Sequence, residues 1–252
     1  MCGMSANETL MSVCDAALFD LDGVLTPTAE VHMRAWGRMF NEFLAARAGS
    51  AAAGEDLSPY TDADYFAHVD GKPRYDGVRD FLASRGITLP LGDPSDSPEA
   101  PTVCGLGNRK NVTFAAVLAT EGVTPYPGSV QFLDYLAALG TAVAVVSSSA
   151  NADAVLMAAG LRGRFEVLVD GLLARREGLP GKPAPDTYTY AAAALGVPVA
   201  RAVVFEDAVS GVAAGHTGGF GLVVGVDRGV GVPALSAAGA DLVVADLAEL
   251  LP

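Results

Sequence analysis

The stretch Ala16-Ala17-Leu18-Phe19-Asp20-Leu21-Asp22-Gly23-Val24 decides how the rest of the chain is read. Four apolar residues with no polar break suit a strand buried on both faces, as in a parallel sheet. Two carboxylates, two residues apart, follow at its carboxyl end, where open α/β sheets bind ligands. Gly23 then lets the chain turn sharply. A plainer reading, a turn closed by an Asx bond, stands beside this one.

Five more apolar runs share the pattern: Ala142–Val146, Val167–Val169, Ala202–Phe205, Leu222–Val226 and Leu242–Ala245. Helical patterns fall between them, at Ser129–Leu139, Ala152–Ala159, Asp186–Leu195 and Val209–Gly215. This alternation predicts a doubly wound, Rossmann-like α/β sheet. From Ala29 to Thr120 the pattern changes. Helices are predicted over Ala29–Ala48, Asp62–His68, Asp76–Arg85 and Asn108–Glu121, with no core strand among them. The Pro/Asp/Ser-rich stretch Leu89–Pro101 reads as an exposed irregular connection. The expected organisation is a core of residues 1–28 and 119–252, with a small all-helical domain, 29–118, inserted after the first strand. The leader Met1–Asp15 has neither the positive end nor the apolar run of a signal peptide and reads as short and loose.

Three further strand ends or loops carry polar groups. Ser147-Ser148-Ser149-Ala150-Asn151 leads into a helix; its hydroxyls and backbone N–H groups suit an anion, or simply a helix cap. Lys182, between Gly181 and Pro183, is a point positive charge at a fixed place, or a surface lysine in a Pro-rich turn. Glu206-Asp207 is an acidic pair before a helix; such hard oxygens suit Mg²⁺ or cap the helix.

The chain has 252 residues, 51% of them hydrophobic, and a net charge of -13. That charge argues against nucleic acid and anionic membrane as partners, and no apolar run is long enough to span a bilayer. An anionic substrate would need a local basic pocket. Cys2, Cys14 and Cys104 lack metal-like spacing and fit reduced thiols in a cytoplasm.

Carboxylates, hydroxyls, a lysine and carboxylates again, in that order at successive strand ends, resemble the haloacid dehalogenase superfamily. Three segments resemble its β-phosphoglucomutase-like subfamily more closely: Thr26–Trp36, Gly71-Lys72-Pro73-Arg74 and Asn108-Arg109-Lys110-Asn111. The likeness runs from about Cys14 to Arg228, and the helical insertion corresponds to the family's mobile cap. Two positions depart from it: Ala150 stands where a lysine is usual, and Gly77 where a serine is.

The resemblance implies Mg²⁺-dependent phosphoryl transfer through an aspartyl-phosphate on Asp20, with Asp22 as general acid and base. It implies that Ser147 and Lys182 hold the transferring phosphoryl group. Mg²⁺ would lie between Asp20, Asp207, Glu206 and the backbone carbonyl of Asp22. Substrate-binding positions follow at Thr28, His32, Trp36 and Gly71, at Arg74, Arg109 and Lys110, and at Ser148, Ser149 and Asn151. Asp22 disfavours a dehalogenase, whose halide leaving group needs no proton. The expected activity is interconversion of β-glucose 1-phosphate and glucose 6-phosphate by a monomer, with a sugar 1,6-bisphosphate as activator. A phosphatase of a small phosphorylated sugar is the alternative. A non-catalytic binding module would be expected to lose at least one of Asp20, Asp22, Lys182 and Asp207, and all four are present.

Overall fold

The computed structural model describes residues 6–50 and 52–252, so Cys2 lies outside the described residues. The chain divides into two compact units: residues up to Pro27 together with Val123–Pro252, and Thr28–Gly122. In chain order, α1 (Ala6–Met11) and β1 (Ala16–Phe19) precede the helices of the second unit. These are α2 (Thr28–Arg47), α3 (Asp62–Asp64, running into a π-turn over Tyr65–Val69), α4 (Arg74–Ser84) and α5 (Val103–Glu121). The first unit resumes with α6 (Pro127–Leu139), β2 (Ala142–Val146), α7 (Ala152–Ala158), β3 (Val167–Val169), α8 (Gly171–Glu177) and α9 (Asp186–Ala194). It ends with β4 (Ala202–Glu206), α10 (Val209–Thr217), β5 (Leu222–Val226), α11 (Val232–Ala238) and β6 (Leu242–Val244).

The six strands form one parallel sheet in the order β3-β2-β1-β4-β5-β6. Every residue of β1, β4 and β5 is buried, as continuous apolar runs require. Side chains alternate across the sheet. Ala16 and Leu18 face the layer that holds Tyr188 and Ala191 of α9. Phe19 turns the other way, stacking on Phe205 at 4.6 Å and meeting Phe132 of α6 edge-on at 6.2 Å. Burying one such ring is worth about 1.5–3 kcal/mol. The chain winds from β1 to β2 and β3 on one side, then crosses to β4 beside β1 and winds the other way, so the topological switch point falls between β1 and β4.

The helical unit has its own core. Trp36, Phe40, Tyr60 and Phe81 are buried in it, with Phe40 stacked between Trp36 at 5.3 Å and Tyr60 at 4.9 Å. Arg85 ends the adjoining turn with its guanidinium on Asp56 and Asp64, each at 2.9 Å.

Three local expectations need correction. Of the leader read as loose, residues 1–5 lie outside the described residues, and the rest is not loose: Ala6–Met11 is helical, Leu10 is fully buried, and Asn7 donates to the Leu250 carbonyl at 2.6 Å. The last helix of the insertion begins five residues early, at Val103, where Thr102 accepts a hydrogen bond from the Gly105 amide at 2.9 Å. Gly105 and Gly107 look like loop residues but serve close packing. A Cβ on Gly105 would lie 2.3 Å from the Ala100 carbonyl oxygen, and one on Gly107 would lie 2.8 Å from the Tyr75 ring. The helix expected over Asp62–His68 is α-helical over Asp62–Asp64 and continues as a π-turn over Tyr65–Val69.

Candidate active site

Three adjacent strands deliver the site. Asp20 follows β1, Ser147 follows β2, and Glu206 and Asp207 stand at the end of β4. Parallel register brings these ends level: Phe19 pairs with Val145 on one side and Phe205 on the other. The Asp20 amide continues the ladder to the Phe205 carbonyl, and the Ser147 amide to that of Val169, both at 2.9 Å.

Lys182 arrives from the loop between α8 and α9, and it is buried. Its ammonium donates to Asp20 Oδ1 at 2.5 Å, Glu206 Oε1 at 2.6 Å and the Val146 carbonyl at 3.1 Å. An ammonium has three N–H bonds, and all three are used here. Lys182 therefore fixes Asp20 and supplies charge to the site; in this state it has no hydrogen bond left for a phosphoryl oxygen. Burial alone would lower its pKa, but Asp20 and Glu206 hold it above its ordinary value. Burial also pushes the Asp20 carboxyl well above the usual carboxylate range, helped by Glu206 and Asp22 and opposed by Lys182.

Ligand atoms of Asp20, Glu206 and Asp207 lie within 4.8 Å of one another, and all three residues are buried. Three carboxylates face one ammonium, an excess of negative charge that is costly in a buried place unless a cation joins it. Hard oxygen donors at this spacing fit Mg²⁺. Glu206 Oε1 accepts from Lys182 and from the Tyr188 hydroxyl at 3.1 Å, and Oε2 accepts from the Ala208 amide at 3.0 Å. Both Glu206 oxygens thus already carry hydrogen bonds, one of them from the lysine that Glu206 orients.

Two glycines make room for this cluster. Gly23 has φ +87°, and a Cβ there would lie 1.8 Å from Asp207 Oδ2. A Cβ on Gly211, in α10, would lie 1.7 Å from Glu206 Oε1. Asp22 is half-buried on the turn after Asp20, which is closed by the Gly23 amide on the Thr26 carbonyl at 2.8 Å. In the loop after β2, Ser147 Oγ accepts from the Ser149 amide and Ser149 Oγ from the Asn151 amide, each at 3.1 Å. Ser148 belongs to the same loop, and Gly171 packs so closely that a Cβ would lie 2.7 Å from the Ser148 carbonyl oxygen.

In the helical unit, Lys110 is buried and donates to His32 Nδ1. Its ammonium lies 5.1 Å from the Trp36 ring centre and 4.9 Å from that of Phe114, within cation–π range. Thr28 is buried at the start of α2. Arg74 opens α4 after the turn at Gly71, with its guanidinium 5.1 Å over Tyr75. Arg109 does not join the Lys110 group; its Nε donates to the Pro98 carbonyl at 2.8 Å and helps to hold the Leu89–Pro101 connection.

Two side chains at the core cluster were missed from the sequence. Tyr188 reads as one more core aromatic, and Arg228 as a charge beyond β5. Only the fold shows that Tyr188 reaches Glu206 and that Arg228 Nε donates to the Gly23 carbonyl at 2.8 Å.

Strand order 3-2-1-4-5-6 with acid, hydroxyl, lysine and acid at the switch point defines an α/β enzyme of the phosphoryl-transfer kind. The pattern of the haloacid dehalogenase-like hydrolases matches residues 14–219, and the chain belongs to that family, in its β-phosphoglucomutase-like branch. A β-phosphoglucomutase of Mycobacterium bovis is 51% identical over 241 residues, which cover 94% of this chain and 91% of the relative. The crystal structure of a β-phosphoglucomutase from Clostridium difficile shares the fold, with a TM-score of 0.74 and 23% identity over 94% of this chain and 93% of the other. A CbbY variant from Rhodobacter sphaeroides, solved with xylulose-(1,5)bisphosphate, has a TM-score of 0.70 and 25% identity over 94% and 96% of the two chains. Among the described residues, no helix is long and apolar enough to cross a membrane.

Proposed function

We propose that the protein transfers a phosphoryl group through Asp20 and interconverts β-glucose 1-phosphate and glucose 6-phosphate. The observation that carries the chemistry is Asp20 held by Lys182 at 2.5 Å inside a buried three-carboxylate cluster at the switch point. The likeness over nearly the whole chain to the M. bovis β-phosphoglucomutase supports the sugar assignment.

Asp20 attacks phosphorus through a carboxylate oxygen, and the bond from phosphorus to the sugar oxygen breaks. Asp22 gives its proton to the departing oxygen. The acceptor hydroxyl then returns a proton to Asp22 as it takes the phosphoryl group, and Asp20 is restored. Lys182 keeps the nucleophilic carboxylate in place, and Ser147 offers its hydroxyl to a phosphoryl oxygen. Asp20, Asp207 and the Asp22 carbonyl would hold Mg²⁺, with Glu206 behind them. Bound there, the ion neutralises charge on the phosphoryl oxygens.

The helical unit acts in this reading as the cap. Lys110, His32 and Thr28 link its state to the placement of Asp22, and Arg74 takes the phosphate that is not transferred. Ser148, Ser149 and Asn151 line the substrate's path on the core. The second reading, a phosphatase of a sugar phosphate, is favoured by the match to the haloacid dehalogenase-like hydrolases and by the likeness to the CbbY variant solved with xylulose-(1,5)bisphosphate.

The test is the purified protein with Mg²⁺, β-glucose 1-phosphate and a catalytic amount of glucose 1,6-bisphosphate. Glucose 6-phosphate without stoichiometric free phosphate supports the mutase. Glucose and free phosphate instead would move the assignment to the phosphatase.

A further inference from the structure

We propose that Arg228 is a positioning residue that locks the turn carrying Asp22 and so sets the metal site; this rests on the phosphoryl-transfer reading above. Arg228 stands just beyond β5, the strand next to β4. Its backbone is fixed by Asp227, whose Oδ1 accepts from the Gly229 amide at 2.9 Å and the Gly231 amide at 3.0 Å. From there the guanidinium reaches two loops at once. Nε donates to the Gly23 carbonyl at 2.8 Å, and a terminal nitrogen donates to the Ala245 carbonyl, beyond β6, at 2.9 Å. The Arg228 guanidinium carbon lies 3.8 Å from the centre of the Tyr126 ring. The Tyr126 amide in turn donates to the Leu25 carbonyl at 3.0 Å.

One side chain thus grips the segment after β1 directly at Gly23 and, through Tyr126, at Leu25. Gly23 is where that grip matters. It follows Asp22, it has a positive φ, and its α-carbon is so close to Asp207 that no side chain fits between them. Its carbonyl orientation sets its ψ, and with φ this places the Asp22 carbonyl, a proposed metal ligand, against Asp207. A planar fork donates to two separated carbonyls while lying flat on a ring. Lysine, a point charge on a flexible stem, lacks the flat group that stacks on Tyr126.

The experiment compares the full-length protein with Arg228→Met and Arg228→Lys by calorimetric Mg²⁺ titration, by steady-state hydrolysis of p-nitrophenyl phosphate and by thermal melting. Arg228→Met should weaken Mg²⁺ binding roughly 5- to 30-fold and lower kcat about 10- to 100-fold, while KM stays within about 3-fold. Arg228→Lys should fall between. Wild-type Mg²⁺ affinity and kcat in both variants would overturn the proposal, whatever happens to the melting temperature, because that is what a merely structural tie would give. If Arg228→Met does not fold, Tyr126→Leu takes its place with the same expected direction. Amide hydrogen exchange at Gly23, Leu25 and Thr26 separates this proposal from the function it rests on. Faster exchange in Arg228→Met supports the lock even if the wild-type protein proves inactive on phosphate esters, and unchanged exchange refutes it.

Discussion

At the scale of the residue, the core of the site is a charge balance around one ammonium. Lys182→Met leaves Glu206 buried without its cation, and breaking such a pair costs about 3–5 kcal/mol. The variant should melt well below wild type and lose turnover; a melting curve that overlays wild type would mean Lys182 does not carry the cluster. Tyr188→Phe is milder. It removes one hydrogen bond to a charged group, about 1.5–3 kcal/mol, without opening space. Turnover should fall less than in Lys182→Met, and denaturant unfolding measures the rest. Asp20, Asp22, Lys182 and Asp207 could be picked out in the sequence because each sits beside glycine, proline or a strand end. Tyr188 could not, since nothing local distinguishes a tyrosine that hydrogen-bonds a carboxylate from one that only fills a core.

At the scale of the element, helix α10 and the helices of the second unit offer separate tests. Gly211 lets α10 lie against Glu206, so Gly211→Ala must shift either the helix or the carboxylate. A displacement of about 1 Å can cost on the order of 100-fold in rate, and turnover with normal thermal stability is the pair of readings to take. In the helical unit, burial pushes the Asp64 carboxyl up, but hydrogen bonds from Thr61 and Arg85 outweigh it and hold the group below its ordinary 3.8. A carboxyl with a depressed folded pKa lends stability that is fully present above the unfolded value. That stability is lost as pH falls through the folded one. Acid unfolding of the wild type below about pH 3.8 should therefore be steeper than that of Arg85→Leu, which lacks the partner; identical slopes would remove Arg85 from that role. The strands were legible as elements because unbroken apolar runs report burial on both faces. The N-terminal helix was not, because six residues with one buried leucine carry too little pattern. The first turn of α5 was hidden by glycines that serve packing against Ala100 and Tyr75.

At the scale of the whole molecule, a net charge of -13 repels an anionic substrate until it reaches the local field of the site. With free Mg²⁺ held constant, raising ionic strength from roughly 0.01 to 0.15 M should increase kcat/KM by about 2- to 5-fold through screening. A fall over that range would place the governing field at a basic pocket instead. The alternation of strands and helices made the α/β sheet legible at this scale, and the loss of core strands after Ala29 marked the insertion. What the chain pattern could not give is the level pairing of β2, β1 and β4 that brings Asp20, Ser147, Glu206 and Asp207 together, or the reach of Lys182 into them from the loop between α8 and α9. Covalent transfer through Asp20 is the claim on which everything else depends. The direct measurement is to incubate the protein with Mg²⁺ and a sugar bisphosphate, quench rapidly, reduce with borohydride and sequence the peptides by mass spectrometry. An aspartyl-phosphate reduces to homoserine, so homoserine at position 20 in wild type, and none in Asp20→Asn, is the expected result. Turnover under the same conditions with unmodified Asp20, or with homoserine at another aspartate, would contradict it.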